Sequence, residues 1–414
     1  MARLHAQWCA VVRIALAALT VALLLAACGS TVDGTAVQGT APTVDPSALD
    51  PGSYPTTPRP PLGQAGTDEA GQLVEGRRMA GFVVGPWQVD PALTQIGAAP
   101  AKVLQRRNEV VQVVWPAMLA RFPSLPLVAG FVSERTSANP GDATLLRNAV
   151  LQYPFPQTAT EAAEGLASGA LNIVDGGASA AMTEPIRAVP IPGHPEATGA
   201  LMKRLEGTAS VEELTVVSSR GPYVLIQVVQ FATPDRAAEL AGRVLDLQGP
   251  LIDTFVRTEP APLAALPRDP SGLLARTVPI KPGQGDTMSD ADYDPAAALQ
   301  LEDNPIQVGT AMQDAGVDAV AVSQTTLYQA RDGAAAQQLA QTLGDDVVAR
   351  QAGQAAAAVP GLAGTRCVRT EDADSLIARH WCVGTKDRYT FKAVARDLNN
   401  AHQQIAAQYL MLGG

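Results

Sequence analysis

The sequence predicts an α+β fold of two related domains, each reading strand, helix, strand, strand, helix, behind a disordered Pro-rich tether. Three observations predict it. The pattern Val217-Ser218-Ser219-Arg220-Gly221-Pro222-Tyr223 returns 166 residues later as Val383-Gly384-Thr385-Lys386-Asp387-Arg388-Tyr389. Ile191-Pro192-Gly193 returns as Val359-Pro360-Gly361 at a nearly equal offset of 168. Hydrophobic residues make up 47% of the 414 residues and charged residues 17%, enough apolar side chain for folded cores and too little charge for an unfolded chain.

The elements follow in chain order. Residues 1–13 carry Arg3 and Arg13 and no acid, and Ile14 to Ala27 is apolar except for Thr20. This stretch is shorter than the roughly 20 apolar residues a spanning helix needs, so it reads as a signal peptide. It ends Leu25-Ala26-Ala27-Cys28, which resembles the lipobox of bacterial lipoproteins. The resemblance implies cleavage before Cys28 and acylation of Cys28, giving a membrane partner through the lipid alone. From Gly29 to about Leu73 no hydrophobic period is present, and seven prolines fall between Pro42 and Pro61. Such a linker would reach roughly 35–40 Å as a coil. Within it, Asp50 to Pro55 is either tether or a turn packed on the body.

An extra region of about 75–145 opens the first half, with Trp87, Trp115 and Phe122 available to cover a core. A strand from Ala149 to Tyr153 then leads to a helix with Thr158 and Glu161 as its capping box. The hairpin Glu213–Val217 and Tyr223–Phe231 precedes a helix with Thr233 at the N-cap and Pro234 at its first position. Ala237, Leu240, Val244, Leu247 and Leu251 form its apolar stripe. Pro260 to Pro270 marks the boundary between halves. In the second half a strand from Val320 to Tyr328 leads to a helix from Ala334 to about Leu343. The hairpin Ala378–Val383 and Tyr389–Ala395 then leads to a helix striped by Leu398, Ala401, Ile405, Tyr409 and Leu412.

The chemistry is sparse. A net charge of −10 excludes the basic footprint of a nucleic-acid binder, and loss of Arg3 and Arg13 makes the mature chain −12. With Cys9 removed and Cys28 acylated, Cys367 and Cys382 remain as an even pair in an exported chain, which predicts a disulfide. It would stabilise by about 3 kcal/mol in the chain-entropy model. The competing reading, a metal held by Cys367, Cys382 and His380, lacks a fourth ligand and the usual close Cys spacing. No zinc-protease, P-loop, dinucleotide or nucleophile-elbow motif occurs; Gly177-Ala178-Ser179-Ala180-Ala181 departs from the last at its fifth position. His194, His380 and His402 remain after cleavage, and none is marked out as a base. Asp290-Ala291-Asp292-Tyr293-Asp294 imitates the start of a calcium loop, but Pro295 and Leu301 replace its glycine and glutamate, so it reads as a solvated acidic loop. Arg77-Arg78 and Arg106-Arg107 read as solvated surface. No catalytic, cofactor or metal residue is assigned.

With the lipobox, the Pro/Thr tether, Val74-Glu75-Gly76-Arg77-Arg78-Met79-Ala80 and Gly85-Pro86-Trp87, the chain resembles a family of actinobacterial envelope lipoproteins built on a domain of unknown function. The C-terminal half with Cys367 and Cys382 is similar to extracellular sensor-type domains of mycobacterial envelope proteins. The resulting organisation is a signal peptide at 1–27, a lipidated cysteine and linker at 28–73, and α+β domains at 74–266 and 267–414. The expected function is that of a lipid-anchored, extracytoplasmic, non-enzymatic module that binds or senses an apolar small molecule or an envelope partner. The alternatives are an envelope hydrolase with a dispersed triad and a structural or assembly lipoprotein.

Overall fold

The computed structural model describes residues 44–139, 141–173, 181–259, 262–350, 352–371 and 378–413. The signal segment, Cys28 and most of the Gly177–Ala181 loop lie outside them.

The Pro-rich segment from Val44 onward is packed rather than free, which shortens the expected tether. Proline removes ladder donors and favours extended backbone, so the segment lies along the C-terminal half as a strap. Asp50 accepts from Gln403 Nε2 (2.9 Å), and the Tyr54 hydroxyl donates to Asn400 Oδ1 (2.7 Å). Arg59 donates through Nη2 to the Leu274 carbonyl (2.8 Å), and the Ala65 N–H donates to the Leu266 carbonyl (2.8 Å). Leu49 is buried on the way.

The strap ends at helix α1 (Asp68–Met79), capped by the Thr67 side chain. Strands β1 (Gln95–Ile96), β2 (Lys102–Leu104), β3 (Ala129–Thr136) and β4 (Leu145–Gln152) follow, then helix α2 (Pro156–Leu171). Next come β5 (Ala181–Met182), β6 (Arg187–Val189), β7 (Thr198–Glu206), β8 (Ala209–Arg220), β9 (Tyr223–Gln230) and α3 (Pro234–Asp253). The second half holds β10 (Ala291–Tyr293), α4 (Pro295–Ala298), α5 (Pro305–Asp314), β11 (Ala319–Val322), β12 (Thr326–Gln329) and α6 (Gly333–Arg350). It closes with β13 (Gln354–Ala356), β14 (Arg366–Glu371), β15 (Ala378–Lys386), β16 (Tyr389–Ala395) and α7 (Leu398–Met411).

Each half is an antiparallel sheet, and the two domains are related. The first sheet has nine strands, ordered β1-β3-β4-β9-β8-β7-β5, with β2 on β3 and β6 on β7. The second has seven, ordered β10-β11-β12-β16-β15-β14-β13. The segment β3-β4-β9-β8-β7 of one is the segment β11-β12-β16-β15-β14 of the other. Register agrees as well: Gln152 faces Tyr223 across β4 and β9, and Gln329 faces Tyr389 across β12 and β16. The unit is richer than the expected strand-helix-strand-strand-helix. A strand pairs ahead of each first helix, and another stands between that helix and the hairpin. The expected single strand Val320–Tyr328 is two strands joined by a short turn.

The repeated hairpin forms as expected. Its first turn residue takes positive φ in both copies, +53° at Gly221 and +52° at Asp387. Glycine reaches that region freely, and aspartate tolerates it. The repeated basic residue has one job in both halves. Arg220 grips Asp253 with Nε and Nη2 at the end of α3, and Lys386 Nζ donates to the Tyr409 carbonyl near the end of α7 (3.1 Å). Each hairpin is thereby tied to its closing helix, where a cation also meets the negative helix terminus.

A second repeated device joins each closing helix to the segment that precedes its half's first strand. Gln248 of α3 donates to the Phe82 carbonyl (2.8 Å) and accepts from the Val84 N–H (2.9 Å). Gln408 of α7 donates to the Arg276 carbonyl (2.8 Å) and accepts from the Val278 N–H (3.0 Å). Each glutamine thus pairs with residues n and n+2 as a neighbouring strand would. Both are fully buried, at 0% exposure. This corrects the expected α3 stripe. Gln248 and Ile252 face inward, while Leu247 is 46% exposed. Helix α2 also starts earlier than expected, at Pro156 with Phe155 as N-cap, so Thr158 lies within it rather than capping it.

α2 and α3 cover opposite faces of the first sheet, as α6 and α7 do the second. One apolar cluster runs from the α3 face (Val216, Leu225, Leu240, Val244) through Met79, Ala80 and Val83 to the α6 face (Tyr328, Leu339, Trp381). The second cluster, under α2, takes Phe122 and Met118, with Trp115 packed against it. Replacing Gln248 or Gln408 by leucine leaves a buried backbone N–H and C=O without partners. Each change is expected to lower the unfolding free energy by roughly 2–5 kcal/mol, read from urea denaturation. A loss below about 0.5 kcal/mol in both variants would show that the clamps do not secure each closing helix to its incoming segment.

Candidate functional site

The two halves meet along α1, the connector after Leu263, and β10. Buried guanidinium groups hold them. Arg135 of β3 is 2% exposed. It donates to the Thr94 carbonyl (3.1 Å) and, across the joint, to the carbonyls of Gln300 (2.8 Å) and Glu302 (3.0 Å). Its guanidinium lies 5.2 Å from the Trp87 ring. Burial lowers its pKa to about 10, with Asp303 and Glu302 opposing the fall, so it stays charged at neutral pH. Arg77 of α1 crosses in the same way, donating to the carbonyls of Thr287 (2.8 Å), Ser289 (2.6 Å) and Asp290 (3.3 Å). Burial lowers its pKa too. Gln300 returns the contact, donating to the Val83 carbonyl (2.8 Å).

Beside this joint opens a cleft of about 570 Å³. Its apolar wall includes Val74, Leu266, Pro267 and Ala319, and its polar wall carries Arg78, Arg268, Ser271, Asp292, Asp294 and Asp318. Two sequence features read separately, Arg77-Arg78 and Asp290 to Asp294, therefore meet here. Neither is wholly the solvated surface expected, although Asp294 is exposed. Arg77 is spent on carbonyls. Arg78 Nη1 donates to the fully buried Glu75 (2.5 Å) and to Thr258 (2.8 Å). Glu75 also accepts from the Thr258 N–H (2.6 Å). The acidic run divides its work. Asp290 pairs with Arg59 of the strap (3.1 Å). Asp294 caps α4 through the Ala297 N–H (2.8 Å). Asp292 faces Asp269 of the connector. Arg107 is likewise not solvated, since Nη2 donates to the Leu119 carbonyl (2.9 Å) and its guanidinium stacks on Phe122. Arg106 does stay at the surface, paired with Glu69.

Asp292 is the perturbed group of the cleft. Burial pushes its carboxyl up to about 6, the Ser271 N–H (2.8 Å) pulls it down, and the hydrogen-bonded Asp269 carboxyl pushes it up. Burial raises Asp294 as well. Asp269 is held from behind by the N–H groups of Leu274 (2.9 Å) and Ala275 (2.8 Å). The arrangement offers arginine donors and carboxyl groups in one cleft, suited to hydrogen-bonding a polar ligand. Sequence reasoning missed Arg268, Asp269 and Ser271 because the first two sit in a stretch read only as a boundary and the third directly follows it. Its one local signal was the turn-forming Asp269-Pro270-Ser271-Gly272.

The other named residues fall elsewhere. Cys367 and Cys382 face each other across β14 and β15 and are disulfide-bonded, with 4.1 Å between Cα atoms. His194 sits between Glu196 and Asp246, at 3.0 Å from each. His380 contacts the Arg396 carbonyl at 3.3 Å and His402 the Ala357 carbonyl at 2.9 Å. Among the described residues, none of the three hydrogen-bonds a serine or cysteine. The histidine beside the paired sulfurs is His402, not the expected His380.

The pH dependence of Asp292 has a definite sign. Between the unfolded value of about 4 and the folded value of about 6, the native state holds a proton that the unfolded chain has released. Stability therefore falls as pH rises through that window. Asp292→Asn is expected to be near neutral at about pH 4 and stabilising at about pH 7, read from denaturation midpoints. A difference that stays flat over this range would remove the carboxyl pair from the account.

Comparison with known proteins gives these results. No curated protein matches the chain. Among solved structures, the extracellular domain of PknH from Mycobacterium tuberculosis aligns with a TM-score of 0.29 and 12% identity, covering 42% of this chain and 95% of that chain. DynU16, from the dynemicin biosynthetic locus, aligns with a TM-score of 0.11 and 9% identity, covering 75% of this chain and 95% of that chain. At these scores neither bears on function. Two family models match, the N-terminal domain of unknown function DUF7373 over residues 62–268 and its C-terminal counterpart over residues 273–414. The chain belongs to the DUF7373 family.

Proposed function

We propose that this protein is a lipid-anchored envelope binding module that takes a polar ligand in the cleft between its halves. The cleft carries the reading. It lies at the junction of the two domains, a preferred place for ligand sites, and its lining includes Arg78, Arg268, Asp292 and Asp318. These polar groups would hold the hydroxyl or charged part of a ligand against the apolar wall of Val74, Leu266 and Pro267. The extracytoplasmic address rests on the sequence up to Cys28, and the Cys367–Cys382 disulfide suits an oxidising compartment. No helix among the described residues is long and apolar enough to cross a membrane. On this reading the lipid on Cys28 supplies the attachment.

Two measurements test the halves of this proposal. Cys28→Ala is expected to abolish acyl labelling and release the protein from the membrane fraction. Retention of both in the variant would refute the anchor. Native mass spectrometry of protein extracted from the envelope in mild detergent is expected to show a polar adduct on the wild type, at least about tenfold depleted in Arg268→Ala. A wild type without any adduct, or equal occupancy in the variant, would refute the cleft as the site.

A further inference from the structure

A second cluster lies away from the cleft, on the α7 face of the C-terminal sheet. The sulfurs of Cys367 and Cys382 and a ring nitrogen of His402 all lie within 4.8 Å of one another. Both cysteines are buried, Cys367 at 2% exposure and Cys382 at 0%. His402 reaches them from α7, which packs directly on β15. Its Nε2 lies 2.9 Å from the Ala357 carbonyl just beyond β13. A carbonyl can only accept, so Nε2 carries the proton and Nδ1 keeps its lone pair. A backbone carbonyl that fixes the tautomer through the other ring nitrogen is the usual support behind a metal-binding histidine.

We propose that reduction of the Cys367–Cys382 disulfide unmasks a Cys₂His site for a thiophilic d¹⁰ cation, Cu⁺ or Zn²⁺. A dithiol reductant supplies two electrons and two protons: the S–S bond breaks, two protein thiols form, and the reductant leaves as its own disulfide. Metal binding then releases two protons to solvent as both thiolates and a ring nitrogen of His402 coordinate. Soft thiolates select Cu⁺ and Zn²⁺ over harder ions. Three protein donors complete a trigonal Cu⁺ site, whereas Zn²⁺ would add a water as fourth ligand. While the disulfide is closed, its sulfurs are not thiolates and the site is shut. The device would couple metal uptake to redox state. It would also place the metal on α7, the helix that holds the strap through Asn400 and Gln403.

The test uses the full chain in detergent, reduced anaerobically with a phosphine and titrated separately with Cu⁺ and Zn²⁺ against a chromophoric chelator. Reduced wild type is expected to bind one equivalent more than the oxidised protein. His402→Ala, which leaves the disulfide intact, is expected to weaken that binding at least about tenfold. Cys367→Ser is expected to abolish it. Co²⁺ in place of Zn²⁺ should add a thiolate-to-metal charge-transfer band that Cys367→Ser lacks. Equal binding by oxidised and reduced wild type would overturn the proposal. So would unchanged affinity in His402→Ala, or a reduced chain that loses its sheet signal by circular dichroism and binds neither ion.

Discussion

The Arg135 guanidinium is the constraint around which the two halves are arranged. A buried arginine is costly unless its N–H donors are met. Here backbone carbonyls meet them, two from the far half, and Trp87 covers the group's face. Carbonyls of a loop can converge on a guanidinium only if that loop is fixed, so the 300–302 segment must be placed before the charge is tolerated. Arg77 imposes the same condition on residues 287–290. These two clamps flank the shared apolar cluster through Met79, Ala80 and Val83. The halves are therefore joined by burial and by charge at once, and the cleft opens beside that joint.

Duplication supplies the rest of the architecture. Each half solves the same problem, pinning an incoming segment and a hairpin to a closing helix, with a buried glutamine and a basic residue. The chemistry of the second device is conservative in role but not in detail: Arg220 meets a carboxylate, Lys386 a carbonyl. The halves diverge where they have different neighbours. The first half adds residues around Trp115 and Phe122 to cover its α2 face, and the second adds the disulfide across β14 and β15.

Local pattern made the hairpins, the Thr233-Pro234 helix start and the cysteine pair legible, because each depends on residues close in sequence or on simple counting. The α3 stripe was misread because helical spacing admits both Leu247 and Gln248 to the inner face. A leucine stripe is the reasonable guess until a backbone segment arrives with hydrogen bonds for Gln248. The acidic run and the paired arginines were visible as motifs, yet polar residues default to solvent when their partners lie some 200 residues away. Arg77 and Ser289 are 212 apart. The strap was read as tether for a similar reason: prolines report extended backbone and say nothing about whether a surface lies beneath it.

The sequence by itself determined the α+β class, the existence of two related halves, the identity of the bonded cysteines and the acidic character of the body. Those follow from periodicity, composition and short-range spacing, which the chain carries in one dimension. Only the tertiary structure decided that Arg77 and Arg135 are interior, that Asp292 shares its environment with Asp269, and that His402 rather than His380 stands beside the sulfurs. Burial and pairing are properties of segments brought together across the chain. A charged side chain's role is set by what desolvates it, and that is known only once the halves have closed.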